Sequence, residues 1–166
     1  MRVLIAFPVI ALLLILQTVV VRQIPLLQGS ADLVMLVLVA WALQRRVETA
    51  WHWCVIGALL VSLVSAVPIY INLVGYVLIV GMSLFFRRRF WRVSLVIMFV
   101  ATFLATLVTQ SIVWIFFRVT DVPLPLLDSI NLILIPSLLL NLLLAIPIYI
   151  WMSDLAAWLY PEPLEA

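Results

Sequence analysis

The stretch Arg87-Arg88-Arg89-Phe90-Trp91-Arg92 puts four of the nine basic residues of this 166-residue chain into six consecutive positions, with long apolar runs on both sides. One arginine at the centre of a bilayer costs about 2.5–3.5 kcal/mol on insertion scales, and several together compound that cost. The cluster is therefore expected in a loop at the membrane surface. Short loops rich in arginine stay on the cytoplasmic side. With this loop fixed inside, every other apolar segment has a direction. Arg87, Arg88, Arg89 and Arg92 read first as a topology anchor against anionic lipid. A docking site for a cytoplasmic partner is compatible with that role.

Composition points the same way. The chain is 68% hydrophobic and 10% charged, where a soluble domain carries about 25% charged residues. One globular core has no room for so much apolar side chain, so lipid is the expected solvent. The net charge of +2 is too small to imply nucleic acid. All nine basic residues are arginine. A single cysteine, Cys54, excludes an internal disulfide. No Cys, His and carboxylate set has metal-ligand spacing, and the four glycines form no phosphate-cradling loop. No cofactor is expected, and no nucleophile has a base and an orienting group near it in sequence. An enzyme is the least favoured class.

A helix of about 20 apolar residues crosses a bilayer. The pattern predicts six: 3–21, 31–43, 51–67, 70–86, 93–117 and 130–151. The first run is too long for a typical signal-peptide core and reads as a retained transmembrane helix. Ser30 is the expected cap of the second helix, with Asp32 in its first turn, where the helix dipole favours a negative charge. That helix rises only about 20 Å, less than the ~30 Å hydrocarbon core, so it extends past Arg45 and Arg46 with snorkelling side chains, or the bilayer thins locally, or it does not fully span. Pro68 ends the third helix and sets up a tight hairpin with the fourth. Asp128 or Ser129 is expected to cap the sixth, and Pro136 and Pro147 to kink it. The resulting fold class is an all-α membrane protein, a six-transmembrane-helix bundle over 1–152 with a short cytoplasmic or interfacial tail over 153–166.

Six crossings place both termini in the cytoplasm. Arg2, Arg45, Arg46, Arg87, Arg88, Arg89 and Arg92 then lie inside, and only Arg22 and Arg118 outside. Trp41, Trp51, Trp53, Trp91, Trp151 and Trp158 fall at the inner interface, where amphipathic rings settle. Trp114 falls at the outer one. Leu155, Trp158 and Leu159 share one helical face suited to the interface.

Polar residues recur at helical spacing: Thr102, Thr106, Thr109 and Gln110; Ser137 and Asn141; Ser62 and Ser65; Asn72 beside Gly75. The plainer reading is helix packing, through small residues and modest hydrogen bonds. A polar cavity for a ligand or lipid headgroup, or a seam for a partner helix, are the sharper ones, with Thr106, Gln110 and Asn141 as the residues to watch. No charged residue is expected near mid-membrane, which argues against an ion-coupled transporter. His52 reads as interfacial and Cys54 as a small apolar packer. The outer loops carry Ile24, Leu26 and Leu27, and Leu124, Leu126 and Leu127. Apolar loops of this kind are explained by burial at the interface or by a partner that covers them, so Ile24, Leu26, Leu27, Leu124 and Leu126 are candidate partner-binding residues.

The run LQTVVVRQIPLLQGSADLVMLVLVAWAL, followed by RRVETAWHWCVIGALLVSLVSAVPIYINLVGYVLIV, resembles the MreD family of bacterial rod-shape-determining membrane proteins. The shared features are Leu16-Gln17 near the end of the first helix, a loop with proline, and a polar-capped helix that ends in Trp41-Ala42-Leu43. Gly57, the turn proline Pro68 and the pair Gly75-Tyr76 follow in order. The likeness covers roughly residues 10–85 by motif. Ala31, Ser62 and Tyr70 depart from the family's usual proline, aspartate and glycine.

The resemblance implies a non-enzymatic scaffold subunit of the cell-elongation machinery in the bacterial cytoplasmic (inner) membrane, a multi-pass protein. Its implied partners are MreC, with one membrane helix and an extracytoplasmic domain, the glycan polymerase RodA with its class B penicillin-binding transpeptidase, and MreB filaments. The family is also similar in fold to the substrate-binding subunits of energy-coupling-factor transporters. The alternative implied function is therefore a small-molecule (vitamin) uptake subunit.

Overall fold

The computed structural model describes residues 3–19, 30–90, 95–120, 127 and 129–161. Among these every regular element is helical: α1 (Ala6–Val19), α2 (Leu33–Leu43), α3 (Ala50–Ser62), α4 (Ile69–Arg89), α5 (Leu95–Val119) and α6 (Ile135–Leu159), the last entered through a π-helical stretch over Ser129–Leu134. Three helical segments are long and apolar enough to cross a membrane: Ile69–Arg89, Leu95–Val119 and Ser129–Leu159. The first, at 21 residues, rises about 31 Å, close to the ~30 Å of a hydrocarbon core. α1, α2 and α3 are shorter, at 14, 11 and 13 residues. Large apolar side chains cover the outer faces, among them Leu12 of α1, Leu78 and Phe85 of α4, Val96 of α5, and Leu139 and Leu143 of α6. Such a surface is solvated by lipid, and the chain is a membrane protein by the length and composition of these helices.

The bundle is built around its shortest helix. Every residue of α2 is buried, and α2 packs against each of the other five helices. Around it α1, α3, α4, α5 and α6 stand in that order, each against the next, while α1 and α6 make no close backbone approach among the described residues. A helix apolar on all sides has to be surrounded, and LVMLVLVAWAL has no polar face to turn outward. Gly57 of α3 lets α2 come near, since a Cβ there would sit 3.2 Å from a Leu38 methyl.

Several expectations are corrected. Arg87, Arg88 and Arg89 are not in a loop; they form the last turn of α4, and the Phe90 N–H bonds the Phe86 carbonyl at 3.0 Å. Cations belong at a helix C-terminus, where unpaired carbonyls gather, so helix and arginines support each other. Trp41 and Trp53 are wholly buried, with stacked rings 4.2 Å apart, whereas Trp51, Trp151 and Trp158 are exposed. The cap of α2 is Asp32, not Ser30. α6 runs to Leu159, beyond the expected end at Trp151. Its last residues do not share a surroundings: Trp158 points outward, while Leu159 and Tyr160 join the core. At the other end the chain enters α6 through π-helix, just before Pro136. Proline offers no N–H to the carbonyl four residues back and crowds it, so regular α-helix begins only around the ring. Arg2, Arg22, Trp91, Arg92 and Asp128 lie outside the described residues, as do Ile24, Leu26, Leu27, Leu124 and Leu126 of the two apolar loops.

Candidate functional site

α2 is about 16 Å long, roughly half a hydrocarbon core. Its two ends therefore meet different surroundings, and each end is tied down by polar groups.

At the N-terminus the first backbone N–H groups of a helix have no partner within the helix, and in lipid no water is at hand to supply one. Here three side chains from outside α2 supply acceptors. Gln17 of α1 takes the Leu33 N–H at 3.0 Å and the Val34 N–H at 3.4 Å through one carbonyl oxygen. Asn141 of α6 takes the Asp32 N–H at 2.9 Å, and Ser137, one turn earlier, takes the Ser30 N–H at 3.1 Å. Asp32 closes the set by accepting the Met35 N–H at 2.9 Å. Asn141 is itself held, since its amide donates to Thr106 of α5 at 3.0 Å, whose hydroxyl donates to the Thr102 carbonyl at 2.9 Å. The Tyr76 hydroxyl of α4 meets the Asp32 carboxylate. The polar stripes of the sequence thus converge on one place, the cap of the central helix. Asp32 was expected in the first turn of a spanning helix; it stands instead inside the bundle.

Beside this cap lies a partly open cavity of about 170 Å3. It occupies the space that α2 leaves unfilled. Its walls are the last turns of α1, the end of α3, the start of α4 and the second half of α5, and its polar groups include Gln17, Asp32, Asn72, Tyr76, Thr109 and Gln110. Thr106 and Asn141 also reach it. Of the sequence candidates, Thr106, Gln110 and Asn141 are therefore brought together. Thr102 is buried on the same face of α5 but outside the cavity, and its hydroxyl has no hydrogen-bond partner among the described residues. Sequence reasoning gave Gln17 and Asp32 no part in a shared site. Their signal was the brevity of α2, which left its N-terminus to be satisfied from elsewhere.

At the C-terminal end of α2 the fastening is by charge-assisted hydrogen bonds from arginine to backbone carbonyls. The Arg87 guanidinium donates to the Gln44 carbonyl at 2.9 Å and to the Val47 carbonyl at 2.8 Å, both in the α2–α3 connection. Arg45 returns the link by donating to the Phe90 carbonyl at 2.9 Å. Just inside, Trp41 and Trp53 stack, Tyr160 lies 6.3 Å from Trp41, and its hydroxyl is 3.1 Å from that of Thr49. One arginine of the basic cluster is thus an internal brace, while Arg88 and Arg89 remain exposed. His52 is exposed and Cys54 is a buried free thiol. Among the described residues no group of three or more His, Cys, Asp or Glu could hold a metal.

The arrangement defines a helical membrane bundle with a polar-capped central half-helix and a cavity at that cap. No protein-family model, curated protein or solved structure matches the chain.

Proposed function

We propose that this chain is a non-enzymatic scaffold subunit of the bacterial cell-elongation complex, of the MreD kind. In this reading it crosses the inner membrane six times with both termini in the cytoplasm. It binds MreC and helps couple it to RodA, the class B penicillin-binding transpeptidase and MreB. What supports the reading is one coincidence. Four of the residues that carry the resemblance, taken in their order along the chain, are residues on which α2 depends. Gln17 caps it, Trp41 anchors its far end against Trp53, Gly57 admits it, and Tyr76 meets its capping carboxylate. A sequence signature that coincides with one packing solution points to a shared architecture rather than to scattered likeness. The mechanism is positional: lipid-facing helix faces grip a partner helix, the apolar loops support its extracytoplasmic part, and Arg88 and Arg89 meet anionic lipid or a filament.

The cavity favours a second reading, the vitamin-uptake subunit, because its polar lining suits a small ligand. One purification in mild detergent discriminates. Recovery of a bitopic partner together with cell-wall synthases is expected, and it falls when Leu26→Asp and Leu124→Asp are introduced together. Undiminished recovery rejects docking on the loops, and recovery of an ATPase pair or a bound vitamin favours the uptake subunit instead.

A further inference from the structure

We propose that the cavity at the cap of α2 binds a small organic ammonium group. The inference rests on the cavity alone and goes beyond the scaffold reading, so either can fail without the other.

The sign of the charge follows from what the protein has already used. A helix N-terminus ordinarily favours an anion. Here its N–H groups are taken, by Gln17, Asn141, Ser137 and Asp32. Among the described residues that line the cavity there is no arginine, and Asp32 is the one acidic side chain. Available to a guest among the described lining residues are the Asp32 carboxylate, one oxygen of which already accepts the Met35 N–H, and side-chain oxygens of Tyr76, Thr109, Gln110 and Ser65, the last already accepting the Val67 N–H. A carboxylate away from bulk water takes up either a proton or a cation, and this site offers a cation both charge and acceptors. The size follows from the volume. About 170 Å3 exceeds the roughly 30 Å3 share of one water several-fold, and with it the volume of a bare monovalent ion. It fits a group of a few heavy atoms such as ethanolamine. Apolar walls from Leu14, Val61, Val64 and Ile112 suit the methylene part. Two sources present that chemistry: a free small amine, or the headgroup of an ethanolamine phospholipid from the surrounding leaflet.

The test uses the purified full chain. Thermal unfolding is followed in an uncharged maltoside detergent with ethanolamine hydrochloride, sodium chloride or sodium acetate. Lipid retention is then measured by native mass spectrometry after extraction from vesicles of phosphatidylethanolamine and phosphatidylglycerol in equal parts. Ethanolamine is expected to raise the melting temperature above both sodium salts, or phosphatidylethanolamine to be retained over phosphatidylglycerol. The first result with the second assigns a free-amine site that headgroups also reach; the second alone assigns the lipid. Asp32→Asn is expected to weaken either response about tenfold or more, the size of one charge-assisted hydrogen bond. The variant keeps the cap, since asparagine serves at that position as well as aspartate. Gln110→Phe narrows the cavity from α5 without touching the cap and is expected to weaken binding as well. No response to either amine, an equal response to acetate or phosphatidylglycerol, or unchanged binding by both variants overturns the proposal.

Discussion

Gln17 and Asn141 each do at one atom what water does for a helix end in solution. Replacing either by leucine strands buried N–H groups, one being the Asp32 N–H at Asn141 and two the Leu33 and Val34 N–H groups at Gln17. Each stranded group costs about 1–3 kcal/mol, so both variants are expected to unfold at lower denaturant than the parent in the same detergent, with Gln17→Leu the more affected. Equal stability of parent and variants shows that water reaches the cap. Gly57 makes a separate prediction. A side chain there meets Leu38 at 3.2 Å, whereas Cβ atoms at Gly75 and Gly81 meet their neighbours at an ordinary 3.8 Å. Gly75→Ala and Gly81→Ala are expected to be tolerated, since alanine also gains about 0.5–1 kcal/mol of helix preference. Gly57→Val forces α2 and α3 apart, at about 1–3 kcal/mol for an overpacked core. Monodisperse elution of Gly57→Val with an unchanged melting temperature contradicts the packing described.

At the scale of elements, the Arg87 guanidinium braces the C-terminus of α4 against the α2–α3 connection. Arg87 fills two carbonyls of the α2–α3 connection, and Arg88 and Arg89 beside it point away. Hydrogen bonds to charged groups contribute about 1.5–3 kcal/mol each, and exposed charges far less. Arg87→Ala is therefore expected to lower the melting temperature clearly, and Arg88→Ala and Arg89→Ala to leave it nearly unchanged. Arg87→Lys restores the charge but not the two-pronged geometry, and is expected to fall between. Similar losses from all three alanine variants mean that net charge at the helix end, rather than the brace, supplies the stability.

For the whole molecule, the bias of arginines predicts a definite threading. A reporter active only in the periplasm is expected to be silent when fused after Ala166 and active when fused after Thr120; the reverse pattern inverts the map. The all-helical class and the lengths of α4 and α5 were legible in the sequence, because apolar run length and arginine placement are local properties priced by the bilayer. Pro68 marked the start of α4 but not the end of α3, which stops at Ser62 rather than at the expected 67. The centre of the bundle was not legible. Nothing local distinguishes LVMLVLVAWAL, buried on all sides by protein, from an apolar helix that faces lipid, since both surroundings accept the same side chains. For the same reason Trp41 and Trp53 resembled interfacial rings until their burial placed them inside the bundle. The sequence by itself marked the apolar segments that form the helices. Only the tertiary structure decided which of them is surrounded, because that choice rests on hydrogen bonds between residues over a hundred positions apart, from Asn141 and Ser137 to the start of α2.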